Sequence, residues 1–131
     1  DARYRTRADR EHTAVAGSSP GGLVSLYVGW ERSDVFGRVA SLSGSFWMRG
    51  WLDTVQVDPP RRGLRVWLDS GNAGHSADSA EDTIAARDLL LGKGMALGRE
   101  LEHCIYPGAE HNEAAWRARF GDVLKFLFPA E

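Results

Sequence analysis

The chain has 131 residues, of which 43% are hydrophobic and 26% charged, and its formal net charge is -2. This length and composition are typical of one globular domain, and the near-neutral charge gives no electrostatic reason to expect binding to nucleic acid or to an anionic membrane. No apolar run approaches the ~20 residues that a transmembrane helix needs. The single cysteine, Cys104, excludes an intramolecular disulfide, and its strand-like neighbours predict a buried small side chain.

The first half of the chain alternates strand-like and helical patterns. Residues 13–18 form a short β-like run, and residues 20–31 carry apolar side chains at helical spacing. A second strand is predicted over residues 38–43, and an aromatic loop follows over residues 45–51. Consecutive prolines in the segment 58–63 mark a break.

The second half repeats this alternation twice. The predicted elements are a strand over 64–69, a polar loop over 72–79, a helix over 80–92, a strand over 101–106, a loop over 107–111 and a last helix over 112–128, with Phe120 and Leu124 on its apolar face. Strands that alternate with helices predict an α/β fold, in which a parallel sheet is joined by right-handed crossovers. We expect about four βα units in one domain that spans residues 1–131.

Residues suited to acyl transfer follow three of the predicted strands. Ser19 lies in a Gly-x-Ser-x-Gly box over residues 17–21, between a strand and a helix, whereas His111 follows the last strand. A serine hydroxyl needs a base to take its proton, and an imidazole base works best when a carboxylate orients it. A serine, then an acid after the third strand, then His111 is the chain order of α/β-hydrolases, whose sites gather at the carboxyl ends of the strands.

Four segments carry a resemblance to a known family. They are "YRTRADREHTAVAGSSPGGLVSLY" around Ser19, "FGRVASLSGSFWM" as the following strand and aromatic loop, "LRVWLDSG" as an acid-bearing strand, and "GAEHNEAAWRARF" with its His-x-Glu-x-x-Trp pattern. Together they resemble the putative-esterase family of α/β-hydrolases, which includes feruloyl and acetylxylan esterases, esterase D-like enzymes, siderophore esterases and mycolyltransferases. The resemblance covers nearly the whole chain and implies a carboxylic ester hydrolase that needs no cofactor.

The same resemblance implies the catalytic residues. Ser19 corresponds to the nucleophile and His111 to the base. Family members often place the acid a few residues beyond the strand-ending glycine, which here falls near Gly74, so this loop carries an insertion or an altered acid. Counted back from the end of the helix, the helix length of the family implies Asp78, while Asp82 in the first turn of the helix and a Ser-His dyad without an acid stay open as alternatives.

Aromatic residues near the predicted site have two interpretations. Phe46 and Trp47 are predicted to form a wall of the substrate pocket, with simple packing as the alternative. Trp116 is expected to hold the His111 loop against the last helix. The expected substrate is a small-molecule or carbohydrate-linked ester.

The remaining histidines do not predict a metal centre. His12 precedes the first strand, His75 lies in the polar loop and His103 lies within a strand, and none has the spacing of a ligand set. We therefore expect neither a metal nor a cofactor.

Pro20 follows the predicted nucleophile and conflicts with its role. In this fold the oxyanion hole uses the backbone N–H of the residue after the nucleophile, together with one from a loop after an earlier strand. Pro20 has no N–H, so an impaired enzyme, a non-catalytic binding domain of the same fold and an inactive fragment are all open.

The segment before Ser19 is short for this fold. Only 18 residues precede Ser19, too few for the earlier strands and loop of a full α/β-hydrolase. We expect the chain to correspond to the C-terminal half of such a domain. The edge of its first strand would then be open to a missing N-terminal half or to a second chain.

Overall fold

A parallel four-stranded sheet forms the centre of the molecule. The computed structural model describes residues 2–130, and its strands are β1 (Ala14–Ser18), β2 (Arg38–Leu42), β3 (Arg65–Gly71) and β4 (Leu101–Tyr106). They lie in the order β1-β2-β3-β4, and all three neighbouring pairs are parallel. The predicted α/β class is therefore confirmed.

Helices cover both faces of this sheet. They are α1 (Pro20–Glu31), α2 (Leu52–Val57), α3 (Ala80–Gly92) and α4 (Glu113–Leu127), with short 3₁₀ turns at Arg10–His12 and His75–Ser79. The strand β2 is buried on both faces, because Val39 belongs to one apolar cluster and Ala40 to the other. The first cluster takes Leu26 and Leu90 from the helices, and the second takes Val123.

The turn from β1 to α1 depends on a close approach between strand and helix. A Cβ atom on Gly17 would lie 2.5 Å from the carbonyl oxygen of Gly21, which is closer than real Cβ contacts allow. A Cβ on Gly22 would lie 2.6 Å from Oγ of Ser41, whereas one on Gly21 would meet open space. The close approach therefore restricts residues 17 and 22 to glycine, whereas Gly21 of the Gly-x-Ser-x-Gly box is not restricted by it.

Two features differ from the sequence-based prediction. The helix α2 was not predicted, because it has only six residues and buries only Leu52 and Val55. Phe120 and Leu124 do not join the core as expected, since 40% and 45% of their surfaces are exposed. Phe120 lines a groove with Ala16 at the outer edge of β1, and Leu124 follows one helical turn later on α4.

Within residues 2–130, no helix combines the length and the apolar character that crossing a membrane requires.

Candidate active site

Ser19 lies on a strained turn between β1 and α1. Its backbone has φ 59° and ψ -131°, a region that side-chain-bearing residues rarely adopt. Hydrogen bonds hold this conformation: the Ser19 N–H donates to the carbonyl of Leu42, and the Ser19 carbonyl accepts from the N–H groups of Gly22 and Ser45 at 2.9 and 3.1 Å. The turn thus fixes Ser19 at the carboxyl end of β1, next to the end of β2.

His111 connects Ser19 with Asp78. Its Nε2 lies 2.8 Å from Oγ of Ser19, and its Nδ1 lies 2.7 Å from Oδ1 of Asp78. The imidazole is 44% exposed, whereas the Asp78 side chain is completely buried. Three residues from the ends of β1, β3 and β4, with Ser19 and His111 separated by 92 positions, therefore form one hydrogen-bonded chain.

Asp78 lies on a left-handed turn. Ser76, Ala77, Asp78 and Ser79 all have φ between 48° and 54°, and this segment ends at the start of α3. The second carboxylate oxygen, Oδ2, accepts hydrogen bonds from the Gly71 N–H at 2.6 Å and from the Ser43 hydroxyl at 2.5 Å. The turn accommodates the longer loop that the sequence indicated and brings the carboxylate back to the end of β3.

Asp82, the alternative acid, has a different partner. Its Oδ1 accepts a hydrogen bond from Nη2 of Arg49 at 2.8 Å, in an exposed ion pair. Asp82 lies in the first turn of α3, where the helix dipole also favours a carboxylate.

The base of α4 supports the imidazole. The Trp116 ring packs edge-on against His111, with 5.0 Å between ring centroids and an interplanar angle of 88°. Asn112 caps the helix, because its side chain accepts from the Ala115 N–H at 2.9 Å. Trp116 was expected to hold the His111 loop in this way, and its ring does contact the imidazole.

Three buried polar residues behind Asp78 were missed by sequence reasoning. They are Ser43, Asp69 and Arg119, and each is at most 2% exposed. A signal for Arg119 existed: it lies three residues after Trp116 and four before Val123, so helical spacing places a cation on the inward face of α4. A buried guanidinium requires an acidic partner, and Asp69 in the apolar strand β3 supplies it at 2.8 Å.

A cleft of about 650 Å³ lies over Ser19 and His111, and its lining residues are Ser19, Pro20, Ser45, Trp47, His75, Ser76, Asp78, Ser79, Asp82 and His111. Trp47 is 60% exposed and its side chain is accessible at this cleft. Phe46 is fully buried and belongs to the hydrophobic core. The interpretation of Phe46 as a pocket wall is therefore corrected to packing, because its ring offers no surface to a substrate.

Cys104 and His103 on β4 lie outside this cleft. Burial raises the pKa of the Cys104 thiol, which opposes formation of a reactive thiolate. Burial, followed by the charge of Arg87, lowers the pKa of His103. Across residues 2–130 no three His, Cys, Asp or Glu side chains are close enough together to hold a metal ion.

Comparison with known proteins gives consistent results. Residues 1–127 match the family described as "Putative esterase". The chain is 29% identical over 141 aligned positions to the iron(III) enterobactin esterase of Dickeya dadantii, and this alignment covers 94% of the chain but 31% of that protein.

Solved structures agree with the sequence match. A structure of the enterobactin esterase from Shigella flexneri, determined in the presence of enterobactin, superposes with a TM-score of 0.74 at 25% identity, covering 92% of this chain and 31% of that one. A ferulic acid esterase from Anaeromyces mucronatus shares the fold with a TM-score of 0.71 at 19% identity, covering 97% of this chain and 48% of that one. The chain thus spans about a third to a half of the length of these relatives.

Proposed function

The chain belongs to the "Putative esterase" family, and from this premise we propose that it is a carboxylic ester hydrolase acting through an acyl-enzyme on Ser19. The observation that supports this most directly is the hydrogen-bonded series from Ser19 through His111 to Asp78. An ionised carboxylate only accepts hydrogen bonds, so Asp78 requires the proton of His111 to be on Nδ1. The other nitrogen, Nε2, is then free to accept the proton of Ser19.

The reaction balances with these three groups and water. Oγ of Ser19 bonds to the ester carbonyl carbon while its proton passes to Nε2 of His111, and Asp78 stabilises the resulting imidazolium. The bond to the alcohol then breaks, and His111 returns its proton to the leaving oxygen. Water attacks the acyl-enzyme in the same way, which releases the acid and restores the Ser19 hydroxyl.

The cleft indicates the substrate class. Trp47 offers an exposed, flat apolar surface next to Ser19, which suits a planar or apolar part of an ester. The relatives are esterases for enterobactin and ferulic acid by their names, and we propose a small-molecule or carbohydrate-linked ester for this chain.

A fluorophosphonate probe tests the nucleophile directly, because it labels only an activated serine. We expect the probe to label the protein and Ser19→Ala to lose both labelling and hydrolysis of a p-nitrophenyl ester. Ser18→Ala is the matched control, since it removes the adjacent hydroxyl of the same box and should keep both signals. Equal labelling of the Ser19→Ala protein would show that another residue reacts.

Pro20 favours a second candidate, a non-catalytic domain that binds a ligand in the same cleft. The loss of one oxyanion donor typically reduces the rate by about 10²- to 10³-fold. If the full-length, folded protein shows neither labelling nor ester hydrolysis above background, the binding domain is the better description.

The open edge of β1 is suited to pair with a further strand. One edge of this strand pairs with β2, and no described residue pairs with the other. Next to it lies an apolar groove of about 510 Å³ lined by residues that include Ala16, Leu42 and Phe120. We infer that a further strand of the esterase fold, from the part of the relatives that this chain does not span, pairs here in the whole protein.

A further inference from the structure

The Ser43 hydroxyl lies at the centre of a buried hydrogen-bond network behind the proposed acid. Ser43 follows β2, has φ 47°, and is 2% exposed. Its Oγ lies 2.5 Å from Oδ2 of Asp78, 3.0 Å from Nε1 of Trp116 and 2.8 Å from Nη2 of Arg119. No sequence pattern marked this serine as functional.

The number of protons fixes the direction of each bond. The indole N–H of Trp116 and the guanidinium of Arg119 can only donate, so Oγ of Ser43 accepts both and has no further lone pair. The single hydroxyl proton must therefore point to Asp78. Because Ser43 and the Gly71 N–H both donate to Oδ2, that oxygen is an acceptor only, and Oδ1 is left to accept from His111.

A buried two-point ion pair with Asp69 holds Arg119 in place, while Nη1 of Arg119 has no hydrogen-bond partner among the described residues. Its Nη2 and Nε donate to the two carboxylate oxygens of Asp69 at 2.8 and 3.1 Å. Asp69 also accepts from the Trp67 indole at 2.8 Å and from the Ser43 N–H at 3.1 Å. A buried pair with this many hydrogen bonds has little freedom to rearrange, since breaking any of them leaves a buried polar group without a partner.

We propose that Ser43 is a positioning residue of the hydrolytic reaction, whose hydroxyl transmits the fixed geometry of Arg119 and Trp116 to the Asp78 carboxylate. The proposal rests on the proposed function of Ser19, His111 and Asp78. Ser43 does not line the cleft over Ser19, so it acts on the substrate only through Asp78.

Removal of the hydroxyl should therefore affect turnover more than binding. Asp78 would lose one of the two donors to Oδ2, so its carboxylate would be held less firmly in the orientation that His111 needs. Misplacement of a catalytic group by about 1 Å can reduce the rate by about 10²-fold. We expect Ser43→Ala to lower kcat by about 10- to 100-fold and to change KM by less than about twofold.

Ser41→Ala is the matched control. Ser41 lies two residues earlier on β2 and is fully buried, but its hydroxyl has no hydrogen-bond partner among the described residues. The control should keep kcat close to that of the unmodified protein. Ser43→Gly is a second test variant, because glycine suits the positive φ and also lacks the hydroxyl.

A second readout is independent of turnover. The proton between Nδ1 of His111 and Asp78 should give a low-field ¹H NMR resonance that is present in the unmodified protein and in Ser41→Ala and is shifted or lost in Ser43→Ala and Ser43→Gly. The positioning role is refuted if the folded Ser43 variants keep both this resonance and kcat. Failure of the proposed function would look different, because the unmodified protein would then hydrolyse no ester, while the resonance would still report whether Ser43 orients the Asp78 carboxylate.

Discussion

Among single residues, Pro20 is the one that we expect to lower the rate of ester hydrolysis at the proposed site. It occupies the first position of α1, where proline is favourable because that N–H has no partner within the helix and its fixed φ suits the helix. The same position is where an α/β-hydrolase offers its first oxyanion donor. Pro20 is thus compatible with the fold and unfavourable for stabilising a tetrahedral intermediate.

Restoring the amide at position 20 should raise the rate. We expect Pro20→Met and Pro20→Ala each to increase kcat/KM for ester hydrolysis by about tenfold or more, because both return the N–H while their side chains differ. Steady-state kinetics on the same p-nitrophenyl ester provide the measurement. A rate that changes only in the methionine variant would point to side-chain contacts, and an unchanged rate in both would contradict this account of Pro20.

At the scale of elements, the left-handed turn before α3 brings together four consecutive side-chain-bearing residues at positive φ. Each residue with a side chain in this conformation costs about 1–2 kcal/mol. The turn persists because its one buried member, Asp78, makes hydrogen bonds to Gly71, Ser43 and His111. Its other members contribute strain without comparable contacts.

Ala77 allows this strain to be measured. Its φ is 48° and its side chain is exposed, so Ala77→Gly relieves strain without removing a buried contact. We expect a gain of about 0.5–1 kcal/mol in the free energy of unfolding, since relief of about 1–2 kcal/mol is offset by the entropy of glycine in the unfolded chain. Ala77→Val should instead destabilise the fold and lower kcat, because a branched side chain fits this backbone poorly. Urea unfolding measures the free energy of unfolding of both variants. Equal stability of Ala77→Gly and Ala77→Val would contradict the strained turn.

Prediction from sequence succeeded where an element has clear ends. The bounds of α3 and β4 were predicted correctly, since a polar loop precedes α3 and a Pro-Gly pair ends β4. The short α2 was missed, as six residues give too little periodicity. For the site, strand ends and chain order indicated Ser19, an acid after the third strand and His111, and the family resemblance favoured Asp78 as that acid. Phe46 was misassigned because periodicity does not tell which of two neighbouring aromatic rings points inward.

The contacts of the buried network could not be predicted. Ser43, Asp69 and Arg119 meet only after β2, β3 and α4 have packed, and Ser43 and Arg119 are 76 positions apart. One sequence carries no information about which buried donor reaches which acceptor over such distances.

For the whole molecule, the β1 end of the sheet combines an unpaired strand edge with exposed apolar side chains. On α4, Phe120 and Leu124 are 40% and 45% exposed, and Phe120 lines the groove next to the open edge of β1. An unpaired strand edge next to apolar side chains favours association with another chain.

This surface should make the isolated chain self-associate. We expect light scattering to show concentration-dependent association that Phe120→Lys with Leu124→Lys weakens by about tenfold or more, since each buried apolar side chain contributes about 1.5–3 kcal/mol. Val57→Lys is the control, because Val57 is 84% exposed on α2 and lies away from this groove. A chain that stays monomeric at all concentrations tested would contradict association through the edge of β1.

The proposed reaction depends on one short segment at the start of α4 staying folded. His111, its ring neighbour Trp116 and the cation Arg119 all lie within nine consecutive positions. Local detachment of this stretch would withdraw the base and both donors to Ser43 at once, while the four strands kept their pairing. Heat or mild denaturant should therefore abolish the proposed ester hydrolysis before the sheet unfolds. Loss of turnover would then be an early sign of local unfolding at α4.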